Sequence, residues 1–555
     1  MPLKRVGTTL KAKIYFTIFF MAAIFLWFKK DCRAGFEQLV LNSRARSLGN
    51  AVTAYPPGIM SVHYNPAGLT GFNGKNISFD ISYIPNFKID SKFKKDPWFF
   101  GFLFQLGPVG PIFYELFDID PLAPDSVAGT QTSSHPFMKL PFGNMLNNAS
   151  FGMTFSGGVS YHDPESRWAM AYGMYPAMGF GFEFDSDSPA RFGAKSSNIM
   201  RYLFCAPAVS YKIFNTLSLG FSAGMGKAAE NLDMTLRFPN EILVLSTTLS
   251  DLSEFIVTNI PELGDVFPAP WLGGGLELYE PVGTFKMDIF DNMTTSFNIG
   301  LLWDPFTWFS AGLVYQSESK AKMGGDYRIS YSESFYNLTN WFQSNEILMI
   351  VAQEMGLPES SVHSQIGRVS TKFKFPMRFQ CGIMLRPFKT LRLMCDYHWT
   401  NWSVWKEDTF NFDQDIHLLQ VMQFLGHTQG PRKITLKRDN KDTRHFSYGL
   451  EWQAVKGVFL RLGYEPKNSM IQKNNFSLTM PLTKMTIYSA GLGLDLGSFT
   501  FDVGYSYLKS DKFSLPDLTG RYFNLWGAPI SPYVGINYEQ EITAEFYTFA
   551  ISYKW

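Results

Sequence analysis

Cysteine is almost missing from this 555-residue chain, and its scarcity excludes a good deal. Of four cysteines Cys32 lies in the leader, leaving Cys205, Cys381 and Cys395, too few for a disulfide scaffold and not clustered as metal ligands would be. Long apolar runs are also absent. Beyond the first 34 residues no stretch approaches the roughly 20 apolar residues of a spanning helix, which argues against a helical inner-membrane transporter. Nor is there an excess of one charge: 49 Lys and Arg oppose 48 Asp and Glu, so no nucleic-acid partner is expected. The eight histidines are scattered, and only His398 sits on a clear strand facing inward, with no serine or carboxylate placed beside it. No catalytic residue, cofactor or metal is expected.

What is present is hydrophobicity in a dispersed form: 46% hydrophobic and 17% aromatic residues with a mean hydropathy of −0.06. Its arrangement is strict alternation. Met377, Phe379, Cys381, Ile383 and Leu385 share one face, and Arg378, Gln380, Gly382, Met384 and Arg386 the other, a split only a strand produces. The pattern recurs at Leu391 to Thr400, Tyr488 to Leu496 and Phe499 to Leu508. A soluble β-sandwich alternates too, so connection lengths decide. Strands are placed near Ile77 to Tyr83, Phe151 to Tyr161, Trp168 to Tyr175, Leu203 to Ile213, Leu217 to Lys227, Thr295 to Trp303 and Phe309 to Glu318. Seven more follow near Val369 to Arg386, Leu391 to Thr400, Phe446 to Ala454, Val458 to Glu465, Met485 to Leu496, Phe499 to Leu508 and Phe546 to Trp555. Tight joins at Asp163, Asn215, Asp304 to Phe306, Pro387 to Lys389, Lys456 and Gly497 alternate with long loops. This is the rhythm of a bacterial outer-membrane barrel. The fold class expected is all-β: a transmembrane antiparallel β-barrel of about 14 strands, with an N-terminal hatch plugging the lumen and some helical external loops.

The chain opens as a secretory signal would. Lys4, Arg5, Lys11 and Lys13 precede an apolar run from Ile14 to Phe28, and Ala34 offers a cleavage site, although Lys29, Lys30 and Arg33 intervene. As an uncleaved anchor that run would span only about 22 Å, short for a bilayer. Three segments are therefore expected: a signal peptide over 1–34, a hatch over 35–75 and the barrel over 76–555. The final stripe of Tyr547, Phe549, Ile551, Tyr553 and Trp555 resembles the barrel-assembly signal of outer-membrane proteins, which implies outer-membrane lipid and the barrel-assembly machinery as partners.

The hatch segment does not alternate. Ser47 to Leu69 is rich in Gly, Ala and Pro and ends in Asn65, Pro66, Ala67, Gly68 and Leu69. A barrel of about fourteen strands is too wide for its wall side chains to fill, so a compact stopper is expected. That NPAGL motif, with LSLGFSAGMG at Leu217 to Gly226, FSAGLVYQSE at Phe309 to Glu318, DYHWTNWS at Asp396 to Ser403, LRLGYEP at Leu460 to Pro466 and the stretch Tyr488 to Tyr507, resembles the FadL/TodX channels for long-chain fatty acids and aromatic hydrocarbons. The resemblance implies a plugged fourteen-stranded barrel that takes hydrophobic small molecules from external loops and releases them sideways through a kinked third strand. Two departures stand out. Tyr55, Pro56, Pro57 and Gly58 occupy the place where an acidic hatch residue is common, and the loops are longer than the family leads one to expect.

Gly173, Pro176 and Gly179 are the candidates for that kink, since proline removes a ladder donor and glycine a side chain; the alternative is a strand that ends at Tyr175. Asn240 to Ile260, carrying Leu245, Leu249 and Leu252, and Asn337 to Met355, carrying Trp341, Phe342 and Leu348, have helical spacing. Both are expected as loop helices whose apolar faces capture ligand or cap the mouth. Glu451 should face Arg461 across one hairpin. Arg378, paired by the expected register with His398, is a candidate for a ligand carboxylate, and the same register makes Cys381 and Cys395 cross-strand neighbours. A general porin or an adhesin would fold alike; the hatch argues against the first and the helical loops against the second.

Overall fold

In a bilayer core every backbone N–H and C=O must be satisfied within the protein, and a sheet achieves this only by closing on itself. The computed structural model describes residues 42–97, 127–142, 145–148, 152–238, 240–276, 281–424, 429–516, 533 and 535–555, so the expected signal peptide lies outside the described residues. Fourteen antiparallel wall strands are found among them. The first six are β1 (Gly74–Lys95), β2 (Met153–His162), β3 (Trp168–Glu183), β4 (Ser196–Phe214), β5 (Leu217–Leu236) and β6 (Gly283–Phe306). Four strands broken once each follow: β7 (Phe309–Gln316, Ser319–Tyr331), β8 (Ser364–Phe375, Arg378–Phe388), β9 (Leu391–Thr400, Glu407–Phe412) and β10 (Lys433–Lys437, Thr443–Val455). The last four are β11 (Val458–Lys467), β12 (Met485–Asp495), β13 (Phe499–Ser510) and β14 (Ile536–Lys554). Neighbours pair in chain order, and β1 meets β14 from Asn76↔Lys554 to Lys95↔Ile536, closing the barrel. All six tight turns gather at one end with Trp555, where backbone bonds such as Asp304 N to Thr216 O (2.7 Å) and Lys554 N to Ser498 O (2.8 Å) link adjoining hairpins.

Alternation translates into two environments. On β1, Ile77 and Phe79 face outward, 45% and 46% exposed, while Ser78, Asp80 and Ser82 are buried inside. Many strands exceed the roughly 9–11 residues that cross a bilayer. In their upper halves the inward residues turn apolar: Ile89 and Phe93 on β1, Met234 on β5, Met287 on β6, Phe412 on β9 and Tyr538 on β14 join one buried cluster. The barrel thus holds a polar lower lumen and a greasy upper one.

Three local expectations are corrected. The β8–β9 hairpin closes at Phe388↔Leu391 with a register shift after Leu385, because Pro387 has no N–H for the ladder. Cys381 therefore opposes Tyr397 and Arg378 opposes Thr400, not Cys395 and His398; the cysteines are diagonal neighbours and free. The helix expected over Asn337 to Met355 is two helices. One is Glu333–Trp341, and the other is Glu346–Glu354, restarted by Asn345, whose side chain accepts from Leu348 N. Third, β3 does not end at Tyr175 but continues to Glu183.

The N-terminal segment lies inside the lower lumen, and glycines make room for it. α1 (Ser43–Ser47), α2 (Ser61–Tyr64) and a 3₁₀ turn (Pro66–Gly71) are almost wholly buried. Around them stand inward glycines on β5, β7, β11 and β12. A Cβ at Gly220 would lie 2.2 Å from Ala67 N, at Gly312 2.2 Å from Thr53 O, at Gly463 2.1 Å from Gly49 N and at Gly491 2.0 Å from Ser47 Oγ. At the first three of these, wall and segment meet backbone to backbone, which only glycine permits.

Candidate functional site

Within this collar the Asn65 to Leu69 motif is a connector. Asn65 caps the 3₁₀ turn by accepting from Ala67 N (3.1 Å), and its amide donates to Thr53 O (2.8 Å) and to Leu301 O of β6 (3.1 Å). Pro66 fits the first helical position, Ala67 O accepts from Ser210 Oγ of β4 (3.1 Å), and Gly68 leaves space for the Pro56 ring. Leu69 is buried in the cluster formed by the segment and the wall.

Charged wall residues hold the same segment. Arg378 is buried and gives Nε to Gln316 Oε1 (2.6 Å) and Nη2 to Gln316 and to His63 Nε2 (3.0 Å), while Gln316 donates to His63 O (2.7 Å). It thereby binds α2. Glu451 meets Arg461 as expected (2.8 Å), and also takes Arg392 (2.6 Å) and Arg44 of α1 (3.6 Å). Glu465 accepts from Asn50 (2.9 Å), Lys467 (3.1 Å) and His445 (3.1 Å). His398 stacks on His445 and has Ser447 Oγ 2.9 Å from Nε2, a serine the sequence did not place; its Nδ1 has no partner. The pair is sealed among buried groups.

Above the collar the wall parts. β2 accompanies β3 only as far as Gly157↔Met174, while staying paired with β1 to Met153↔Tyr83. From Tyr175 to Gly181 the β2-side edge of β3 has no ladder partner among the described residues, until Pro136 and His135 of the first external loop meet Phe182 and Glu183. On the other side, register shifts against β4 fall at Gly173/Tyr175 and Pro176/Met178. The three predicted residues are thus brought together: Gly173 and Pro176 at the two bulges, and Gly179 in the unpaired edge. Tyr202 Oη of β4 donates to Phe155 O of β2 (3.2 Å), spanning the departure. Behind it lies an apolar cavity of about 20 Å³, lined among others by Ile84, Phe137, Gly179, Phe180 and Phe546.

At the external end, α3 (Asn240–Asn259) buries Ser246, Ser250 and Ser253 among its described side chains. Ser246 Oγ accepts from Leu276 N (3.0 Å) and Ser253 Oγ from Trp271 N (2.9 Å). Leu249 is half-buried, Leu252 is exposed, and the side chain of Leu245 lies outside the described residues. Trp341, Phe342 and Leu348, expected on a capturing surface, turn inward: Trp341 Nε1 binds Pro268 O (2.7 Å), Phe342 packs on the upper core and Leu348 is buried. The most exposed apolar side chains of these helices include Phe255 (68%), Ile347 (49%), Met349 (51%) and Ile350 (60%). Helical spacing finds an apolar stripe, but two stripes fit this sequence, and packing chose which one turned in.

A closed barrel with hydrophobic outer bands, its own N-terminal segment in the lumen and a parted wall is a transport barrel of the outer membrane. The family model described as outer membrane protein transport protein (OMPP1/FadL/TodX) matches residues 36–555, and the chain belongs to that family. Solved structures sharing its fold include a Pseudomonas aeruginosa FadL homologue, at 15% identity over 94% of this chain and 100% of that one, TM-score 0.63. The Ralstonia pickettii toluene transporter TbuX is 14% identical over 93% and 98%, TM-score 0.53. The Pseudomonas putida toluene transporter TodX is 12% identical over 95% and 99%, TM-score 0.55. Comparison with curated protein sequences returns no match.

Proposed function

We propose that this protein passively takes up long-chain fatty acids or similar hydrophobic molecules by external capture, rearrangement of a hatch at 35–75 within the barrel at 76–555, and lateral release beside β3. The observation that carries this reading is the edge Tyr175 to Gly181, without a ladder partner among the described residues, beside an apolar cavity. Each buried CH₂ contributes about 0.8 kcal/mol, so a long alkyl chain favours a route that never enters bulk water. A sideways exit into the bilayer keeps that stabilisation. Relatives described as a FadL homologue and toluene transporters agree with a hydrophobic cargo. The exposed Phe255, Ile347, Met349 and Ile350 suit capture, since apolar patches outside the membrane commonly mark binding surfaces.

The test pairs ion conductance in planar bilayers with uptake of a labelled long-chain fatty acid, using the intact protein and a deletion of Ser47 to Leu69. The intact protein should conduct little and the deletion strongly; large conductance in the intact protein would sink the plugged-channel reading. Pro176→Val should cut uptake while the barrel stays folded, and unchanged uptake would remove Pro176 from the route.

A further inference from the structure

Like charges stand opposite one another at several points of the upper outer wall, and elsewhere a third group offsets them. Lys286 of β6 faces Arg328 of β7 and has Asp233 of β5 at 3.4 Å. Asp288 faces Asp326, and these take Lys139 (2.6 Å) and Arg368 (3.3 Å). One patch is left without such an offset. Lys320 and Lys322 of β7 stand directly opposite Lys374 and Lys372 of β8. All four are exposed, because the alternating inward positions are taken by the buried Ala321, Met323, Thr371 and Phe373. Among the described residues a single ion pair reaches the four, with Glu318 at 3.7 Å from Lys320 Nζ. Asp291 of β6 lies near, but its oxygens accept from the backbone N–H of Lys322 (2.6 Å) and of Met293 (2.9 Å), and Glu407 of β9 stands opposite Lys437.

Ammonium groups directly across a ladder repel, so this square of lysines weakens the wall that carries it. Its height gives the repulsion a use. The roughly 11 residues that cross a bilayer run from Phe309, at the tight-turn end, to Ser319, so Lys320 is the first residue beyond the hydrocarbon. Below the lysines the same two strands are apolar on their outer face: Tyr315 stands opposite Phe379 and Leu313 opposite Cys381. Leu313 and Cys381 in turn line an apolar depression of about 880 Å³ on the lipid face, where Gly312 meets Gly382 and the wall is thin. Leu313 lies roughly 18 Å below Lys320 on a tilted strand, close to the depth of one leaflet. Four cations at headgroup height above a greasy track match a lipid that carries phosphate.

We propose that Lys320, Lys322, Lys372 and Lys374 bind the phosphate groups of a phosphorylated lipid in the outer leaflet, whose acyl chains lie along Tyr315, Phe379, Leu313 and Cys381 toward the depression below. A phosphate monoester gathers most of two negative charges and three acceptor oxygens in one compact group, and lysine meets it as a point charge. Two such groups neutralise the square. The bound lipid thereby turns a repulsive patch into a fastening of β7 and β8 to the leaflet, and stabilises the folded barrel by mass action. The site lies on the outside of the barrel and does not depend on the cargo.

The experiment titrates the full-length protein, in an uncharged detergent and by calorimetry, with bis-phosphorylated lipid A, with the same lipid dephosphorylated, and with inorganic phosphate. Heat-modifiable gel mobility checks that each variant is a folded barrel. Wild type should bind the phosphorylated lipid at least about tenfold more tightly than the dephosphorylated one, since several lysines act on it together. Inorganic phosphate, which has no acyl chain to bury, should bind at least about tenfold more weakly than the phosphorylated lipid. Changing all four lysines to glutamine should abolish the preference for phosphorylated lipid, and Lys322→Gln with Lys372→Gln should lose part of it. Without lipid the fourfold variant should unfold at a temperature no lower than wild type, because a repulsion has been removed. Lys437→Gln, at an outward lysine opposite Glu407, should keep the full preference. Equal binding of the two lipids by wild type would overturn the proposal, as would a preference that survives in the fourfold variant. Inorganic phosphate binding as tightly as the lipid would overturn the lipid assignment, and a loss in Lys437→Gln as large as in the fourfold variant would reduce the site to general surface charge and overturn it too.

Discussion

Replacing Gly463 and Gly312 by alanine tests how the N-terminal segment is seated. A Cβ at Gly463 would lie 2.1 Å from Gly49 N and 2.6 Å from Leu48 C, and one at Gly312 2.2 Å from Thr53 O. Backbone atoms cannot rotate away, so the segment must shift by an ångström or more at each point. Overpacking of this kind costs about 1–3 kcal/mol per site. The two sites touch different parts of the segment, so their costs should roughly add, to about 2–6 kcal/mol. The wall should tolerate the change, because Gly312↔Gly382 and Gly463↔Gly449 keep their pairing and alanine is less costly than glycine in a strand. The expected result is a folded barrel with raised single-channel conductance and faster protease cleavage within 42–72. Gly324→Ala is the control, since its Cβ would meet only Val369 O at 3.8 Å. Unchanged conductance and cleavage in the double variant would refute the reasoning that these glycines exist to admit the segment.

Glu451→Gln removes a charge shared by Arg44, Arg392 and Arg461 and should lower unfolding stability by about 3–5 kcal/mol, read from denaturant titration in detergent. A loss under about 1 kcal/mol would mean that water, not Glu451, balances those arginines. Gly179→Val directs a side chain at Met200 Cε, 3.1 Å from the added Cβ, and should slow labelled fatty-acid uptake severalfold with the barrel intact; unaltered uptake would take the cavity out of the route. The double change Phe255→Ser with Ile350→Ser should weaken capture at low ligand concentration and matter little at saturation. A uniform fall at all concentrations would point instead to damage within the barrel.

The wall was written plainly in the chain. Period-two alternation and six tight turns located all fourteen strands, because a lipid-facing position and a lumen-facing position make opposite demands on neighbouring residues. The glycine and proline of β3 were equally legible as an interruption. Registers were not. The β8–β9 pairing lies two residues from the expected one, so Arg378 opposes Thr400 and not His398, while Gln316 reaches it from β7. The loop helices were found but not their orientation, since Leu348 and Ile350 are equally apolar and only packing distinguishes them.

What the sequence alone determined is local: which residues form strands, where the chain turns, that it closes in a membrane, and that a non-alternating segment precedes the wall. These follow from demands met residue by residue. What the tertiary structure decided is everything that depends on distant parts of the chain approaching one another. Gly463 and Gly49 meet across some four hundred residues, and β3 loses β2 at one height and not another. Alternation records the solvent on each side of a strand. It does not record what lies across the lumen.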